Sequence, residues 1–440
     1  MRTCGAWARL RTKMIRSTLR RAAIILSLAV SVEASAAGPD ITQPSNDELA
    51  SIVARVVDTH PAVVAARSTL AAAESDLDGS KWARYPGITV EGFADGRDSG
   101  RVTSVVSLEQ PIWSFGRINA GISQAEARVD AARAGVDEAA LELALRASIA
   151  YIEYQRLQAR DRIYAESVQE HTRLVDSIQR RVEQQISAES DASYALQRLL
   201  TVQQERTQNQ VAATLALSRL RELTGMQDLE VKAVLRFAPD EHQLSSDGLL
   251  RAALDYSPLN RRLRAEVDAA VAETAVRKAQ IWPQLNLQAA HYSGGSTGDL
   301  GTRVGLVMRL QTDGGLSRIS AVRSAEQREV AVRSAADSAL RDVREQVMAD
   351  LSENTSAASR IDLGTRATAA ARAVTESYLR QFTAGRRNWP EVLNVVREGL
   401  VARIVEVDAQ ASAMSSAWRL RLRAGQWRPG SQSPATGGGA

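Results

Sequence analysis

The chain has 440 residues, with 55 Lys and Arg against 51 Asp and Glu, one Cys and four His. Residues 1–37 hold seven of the bases and one acid, which leaves 48 against 50 beyond them and a net charge near −2, so the high pI is no argument for nucleic-acid binding. Cys4 lies within that same N-terminal segment, and His60, His171, His242 and His291 show no ligand spacing, so neither a disulfide framework, a metal site nor a cofactor is expected. No phosphate-binding loop, nucleophile elbow or zinc-protease motif is present, and nothing points to an enzyme.

Residues 1–37 read as a signal peptide. Seven bases from Arg2 to Arg21 precede an apolar run from Ala22 to Val32, and Ala34-Ser35-Ala36 supplies a small-residue cleavage pattern. The run falls short of the roughly 20 residues a spanning helix needs. An uncleaved anchor, or a start at Met14, is the rival reading.

Asp47 to Trp82 reads as one helix, entered through Ser45 and Asn46 and bent near Pro61. A β-hairpin follows over 86–112, its strands separated by A-D-G-R-D-S-G-R, and Ser114-Phe-Gly-Arg117 turns the chain into a long helix. From Ile118 through Ile122, Ala125, Val129, Ala132, Val136, Ala139 and Leu143 the apolar steps alternate between four and three, the repeat of a left-handed coiled coil. Proline is absent from Ser114 to Leu235, so the rod to about Gln185 would span roughly 100 Å at about 1.5 Å per residue. Ser187-Ala-Glu-Ser-Asp191 is a capped turn, a second helix returns to Gly225, and 226–246 is a connector.

The plan then repeats. Pro258, Arg264, Ala269 and Pro283 stand 197 positions after Pro61, Arg67, Ala72 and Pro86. A helix over 249–281 leads to a hairpin over 283–312, in which Leu285, Leu287 and Ala289 alternate with Asn286, Gln288 and Ala290, and Val304, Leu306, Met308 and Leu310 with Gly305, Val307 and Arg309. A rod over 316–382 carries Leu340, Val343, Val347, Leu351, Ala358 and Ile361 as part of its seam. A turn over Ala384–Pro390 and a returning helix to Trp427 complete the second repeat, and 428–440 reads as a disordered tail. The domains are thus a signal peptide (1–37), a first repeat (38–246, coiled helices 116–225), a second repeat (247–427, coiled helices 316–427) and the tail.

The expected fold is mainly α with a small β part. Each repeat contributes two strands, and four cannot close a barrel, since the smallest membrane barrels have eight. An open sheet with an apolar outer face would leave its edges unpaired, so several chains must pool strands: two give eight, three give twelve, and this argument does not choose. Trp82, Tyr85, Phe93, Trp113, Phe115, Trp282 and Tyr292 cluster at strand ends, as an interfacial girdle requires; the alternative is a packed junction between a soluble sheet and its helices.

With signal peptide, duplicated half, two hairpins, long rods and two turns in place, the chain resembles the TolC family of outer-membrane efflux and secretion ducts over essentially its whole mature length. The most specific stretch is Phe382-Thr-Ala-Gly-Arg-Arg-Asn-Trp-Pro-Glu-Val-Leu-Asn-Val-Val-Arg-Glu398, which resembles the branch serving type I secretion of large adhesins. The resemblance implies a homotrimer in outer-membrane lipid, with a 12-stranded β-barrel continuous with a 12-helix periplasmic tunnel. It also implies a periplasmic adaptor and an inner-membrane ABC transporter, or a resistance-type pump if the cargo is a drug or metal. By the same resemblance Glu391 and Asn394 line the tunnel constriction, with Asn394 departing from the family's doubly acidic form. Arg387 links to Ser190 and Asp191 to hold the tip shut, and Phe382, Gly385 and Trp389 pack the tip or meet the adaptor. Simple helix capping is the alternative role for Asp191, and a first-turn position favoured by the helix dipole, after Pro390, is the alternative for Glu391. A third reading, from another class, is a periplasmic coiled-coil scaffold that does not enter the membrane.

Overall fold

The computed structural model describes residues 44–94, 102–232, 246–293, 301–310 and 317–427. The expected signal peptide, the tail, most of the second connector half and the hairpin tips lie outside them, as does the side chain of Phe93.

In chain order the elements are helices α1 (Pro44–Thr59) and α2 (Pro61–Trp82), strands β1 (Gly87–Ala94) and β2 (Val102–Trp113), and helices α3 (Arg117–Glu183) and α4 (Glu189–Thr224). The second half gives α5 (Ser246–Tyr256), α6 (Pro258–Ala279), β3 (Gln284–Ser293), β4 (Thr302–Arg309), α7 (Ser317–Thr383) and α8 (Trp389–Arg423). The fold is mostly helical with one small sheet.

The helix expected over Asp47–Trp82 is two helices, with a 46° bend between them. Pro61 lacks the N–H that would continue the first helix, and His60 caps the second by accepting from the Ala62 N–H through Nδ1 at 3.1 Å. The second half breaks the same way: Ser257 Oγ caps α6 by accepting from the Asn260 N–H at 3.3 Å, with Pro258 behind it.

Among the described residues no single helix is long and apolar enough to cross a membrane. The bent α1–α2 pair meets the length and composition test, yet α1 has its apolar face inside the protein. Leu49, Val53 and Val56 are fully buried in one cluster with Ala147 and Tyr151 of α3, Leu220 of α4 and Met414 of α8. At about 1.5–3 kcal/mol for each such side chain, this packing outweighs the helix's own weak propensity. Tyr151 donates to Glu48 Oε2 at 2.8 Å and accepts from Gln155 at 2.8 Å, while Glu48 Oε1 accepts from the Lys232 N–H at 3.0 Å. Burial and the Glu48 carboxylate together push the Tyr151 phenol far above its ordinary value.

The long helices pack in the order α4, α3, α8, α7, with α3 against α8 joining the halves, and α6 lies against both α3 and α7. The expected seam of α3 is buried at Ile122, Ala125, Val129 and Leu143 and half-buried at the other four positions. A buried carboxylate, Asp350 of α7, accepts from Arg419 at 2.7 Å and lies 3.0 Å from Arg423 of α8. Burial pulls the Arg423 guanidinium below its ordinary value, and Asp350 opposes this.

Candidate functional site

The sheet has the order β1-β2-β3-β4, antiparallel throughout. Register sorts its residues into two faces. Ile88 lies opposite Leu108, Leu108 opposite Ala289, and Ala289 opposite Val304; Leu287 lies opposite Leu306, and Leu285 opposite Met308. Apart from Gln110 and polar residues at the far end such as His291 and Thr302, this face is apolar, and it is the bare one: Ile88 is 72%, Val304 68%, Leu306 66% and Met308 72% exposed.

The other face is polar and better covered. Ser107, Asn286 and Ala290 are buried there. Glu109 accepts from both Arg309 guanidinium nitrogens, at 2.9 and 2.8 Å, and from Gln288 at 2.9 Å, tying β2, β3 and β4 across the sheet. Polar groups thus lie inside, although the buried Asn286 Oδ1 has no hydrogen-bond partner, and hydrocarbon is presented outside, the reverse of a soluble half-buried sheet. The alternation was legible in sequence; the Glu109–Arg309 pair, 200 positions apart, was not.

The expected girdle splits. Trp82 and Tyr85, at 5.1 Å between ring centroids, precede β1; Trp113 and Phe115, at 5.9 Å, follow β2; Trp282, stacked on Phe115 at 5.5 Å, precedes β3. These five exposed rings mark the helix-facing end of the sheet. Tyr292 sits at the opposite end of β3, half-buried under the Arg303 guanidinium at 5.7 Å, with its Cα partner Val105 on the polar face.

At the far ends of the rods, two helix hairpins turn in the same way. Gln185 and Gly385 take left-handed φ of 56° and 69°. Ile186 N–H donates to Arg181 C=O and Arg386 N–H to Gln381 C=O, each at 2.8 Å, so both descending helices end in a Schellman closure. Asp191 caps α4 by accepting from the Ala188 N–H at 3.3 Å. Asn388 is the N-cap of α8, Trp389 and Pro390 open it, and Glu391 falls in its first turn, where the helix dipole favours a carboxylate.

The hairpins pack together through Leu174, Val175 and Ile178 of α3, Leu199 of α4, and Val392 and Val396 of α8. Phe382 is buried under the Arg181 guanidinium at 5.1 Å, and Trp389 meets Tyr194 edge-on at 5.3 Å. Tyr194 and Arg181 were not singled out in the sequence, because each is one of many similar residues on a helix.

Arg387 does not reach Ser190 or Asp191 within the chain. It donates to Glu391, and through Nε to Gln381 at 3.1 Å, and lies 4.6 Å over the Tyr378 ring. The hydrogen bond from Arg387 to Glu391 and the nearby Tyr378 raise the guanidinium's pKa. Glu391 and Asn394 lie on the side of α8 away from buried Val392, Leu393 and Val396, and Ser190 is exposed. Among the described residues no cluster of His, Cys, Asp and Glu could hold a metal ion.

Residues 52–226 match the sequence model of the outer membrane efflux protein family. That stretch runs from α1 through the first hairpin and both coiled helices of the first repeat. The whole architecture is similar to solved outer-membrane channels. VceC of Vibrio cholerae superposes with a TM-score of 0.75 at 18% identity, over 86% of this chain and 96% of that one. CmeC of Campylobacter jejuni gives 0.74 at 13% identity, over 88% and 87%. The open state of Neisseria gonorrhoeae MtrE gives 0.71 at 14%, over 86% and 88%. At these identities the likeness is one of fold. No curated protein matches the chain by sequence.

Proposed function

We propose that the mature chain is a passive export duct: three copies form a 12-stranded barrel in the outer membrane and a 12-helix tunnel in the periplasm. The single observation that carries this reading is the bare apolar face of a four-stranded sheet whose polar face is the covered one. Water cannot be the natural neighbour of such a face, and β1 and β4 are edges that need partners. The helices support the same arrangement. With α3 against α8, the flanks are α4 and α7, and both carry exposed apolar residues: Leu196, Leu200 and Leu215 on one, Val330, Leu363 and Val374 on the other. A right flank that fits a left flank is a head-to-tail contact, which closes into a ring. The family resemblance favours three copies over two.

The tip supports a gate at the tunnel entrance. Glu391 and Asn394 line it, Phe382, Gly385 and Trp389 stiffen it, and Arg387 exchanges Glu391 for Ser190 and Asp191 of the first hairpin when the tip closes. Because each Glu391 carries its own guanidinium, the ring of three would be charge-compensated and a weak trap for cations. The Phe382–Glu398 segment supports protein export by a type I system, with a periplasmic adaptor and an inner-membrane ABC transporter as partners. The efflux description of the matching family supports a second reading, a drug or metal pump outlet.

Cell fractionation followed by mass measurement in detergent tests the duct. A trimer in outer membranes is expected; a water-soluble single subunit overturns the reading in favour of a periplasmic scaffold. Deleting the gene then separates the cargoes: loss of a large surface protein from the cell exterior supports type I export, whereas drug or metal sensitivity with secretion intact supports the pump outlet.

A further inference from the structure

We propose that the groove between α3, α4 and α8 is a binding site for a small organic polyanion. The groove has a volume of about 280 Å³ and brings together Arg160 of α3, Arg198 of α4 and Arg397 of α8, against one carboxylate in its lining, Glu205. Its floor is apolar, built from Val202, Leu400 and Ile404, so the three arginines line a poorly screening surface.

Among the described residues none of these three cations makes an ion pair with a carboxylate. Arg160 Nε is buried and has no hydrogen-bond acceptor. Arg160 acts electrostatically on Glu153, but that carboxylate already accepts from Arg156 at 2.7 and 2.8 Å. Arg198 donates to the Tyr194 hydroxyl at 3.1 and 2.6 Å and lies over that ring, a neutral partner. Among the described residues Arg397 has no carboxylate at ion-pair distance. Buried His171 donates from Nδ1 to the Ser167 carbonyl at 2.8 Å, which leaves Nε2 as its remaining polar atom.

The groove on the other side of α8 differs in the property that matters. It is larger, about 380 Å³, and its lining carries Glu166, Glu170 and Glu376 beside Arg372 and Arg403. There Arg372 pairs with Glu376 at 3.2 Å and Arg403 with Glu166. Only the first groove holds guanidiniums in excess. Planar guanidinium forks select carboxylate or phosphate groups, and three of them select a molecule bearing more than one. Since Arg160 and Arg198 belong to the first repeat and Arg397 to the second, a bound polyanion would tie the two helix hairpins together. This inference does not depend on the duct reading.

Titration of the full mature protein in detergent with citrate, at constant ionic strength, tests it by calorimetry and thermal unfolding. One saturable site per chain and a raised Tm are expected. Arg160→Ala and Arg397→Ala should each weaken citrate about tenfold or more. Glu205→Gln should tighten it several-fold, and Arg372→Ala in the opposite groove should leave it unchanged. Citrate acting no better than chloride overturns the proposal, as does wild-type affinity in Arg397→Ala, a residue exposed enough to remove without disturbing the fold. Weaker binding in Glu205→Gln, or an equal loss in Arg372→Ala, also overturns it.

Discussion

Leu306→Arg separates a lipid-facing sheet from a water-facing one by the size of its effect. Leu306 lies in β4 opposite Leu287, between Val304 and Met308, and is 66% exposed. On a soluble sheet that side chain is already largely in water, and the substitution should change stability by no more than about 0.5 kcal/mol. In a bilayer the arginine enters hydrocarbon at a cost of about 2–4 kcal/mol per chain near the midplane. Three copies unfolding together would lose about 6–12 kcal/mol. The assay is guanidinium chloride unfolding of protein refolded into phosphatidylcholine vesicles, followed by tryptophan fluorescence. Thr89→Arg is the control, since Thr89 lies opposite Ser107 on the polar face and its neighbours include Glu91. A Leu306→Arg protein as stable in vesicles as the wild type, or a control that costs as much, refutes the assignment of the apolar face to lipid.

Four further outcomes are expected. Gly425 has φ +67° and a Cβ there would stand 2.5 Å from the Tyr256 ring, so Gly425→Ala should lose at least about 1–2 kcal/mol in denaturant titration; adding Tyr256→Ala should recover the part due to the clash. Asp350→Asn leaves two half-buried guanidiniums without their carboxylate and should cost about 3–5 kcal/mol by the same titration. Arg387→Glu sets two acids four residues apart at the tip and should raise single-channel conductance in planar bilayers while the trimer stays intact; unchanged conductance in an intact trimer counts against the gate. Glu153, held below the usual carboxylate range by its hydrogen bond from Arg156, and Glu353, held there by Ser412 and then Arg360, contribute stability above their unfolded pKa that is lost as pH falls through the folded one. The Tm should therefore stay level from pH 8 to 5 and drop below about pH 4.5, less steeply in Glu353→Gln.

The fold was legible where one chemical period governs a long stretch. The coiled-coil seam, the alternating strands and the 197-residue offset between Pro61 and Pro258 all follow from side-chain repetition, and α2 and α6 start and end at that same offset. The rods correspond at a different one, 200, from Arg117 to Ser317 and from Glu189 to Trp389, an offset already present at the second strand of each hairpin, where Glu109 corresponds to Arg309. A search at one fixed offset is blind to such a shift. The break at His60 reads in the sequence as a bend and that at Ser257 as continuous helix, since a proline in the first turn of a new helix and a proline within an old one are alike in sequence. The tip was legible in its turn chemistry but not in its partners: Arg387, in the turn before α8, has Glu391 within reach four residues on, and a local pair forms before a distant one. The three arginines of the groove, at 160, 198 and 397, share no motif at all, and only the packing of α3, α4 and α8 brings them together.

The descending helices α3 and α7 each run for 67 residues before they turn, and their ends are held side by side by Phe382, Ile178 and Val392. Neither hairpin therefore overhangs the other, and copies assembled in a ring would finish in a flush rim of alternating hairpins. Anything seated on that rim would meet both kinds of turn at one depth and would have to tell them apart by chemistry: Gln185 and Ile186 on one, Gly385 and Arg386 on the other.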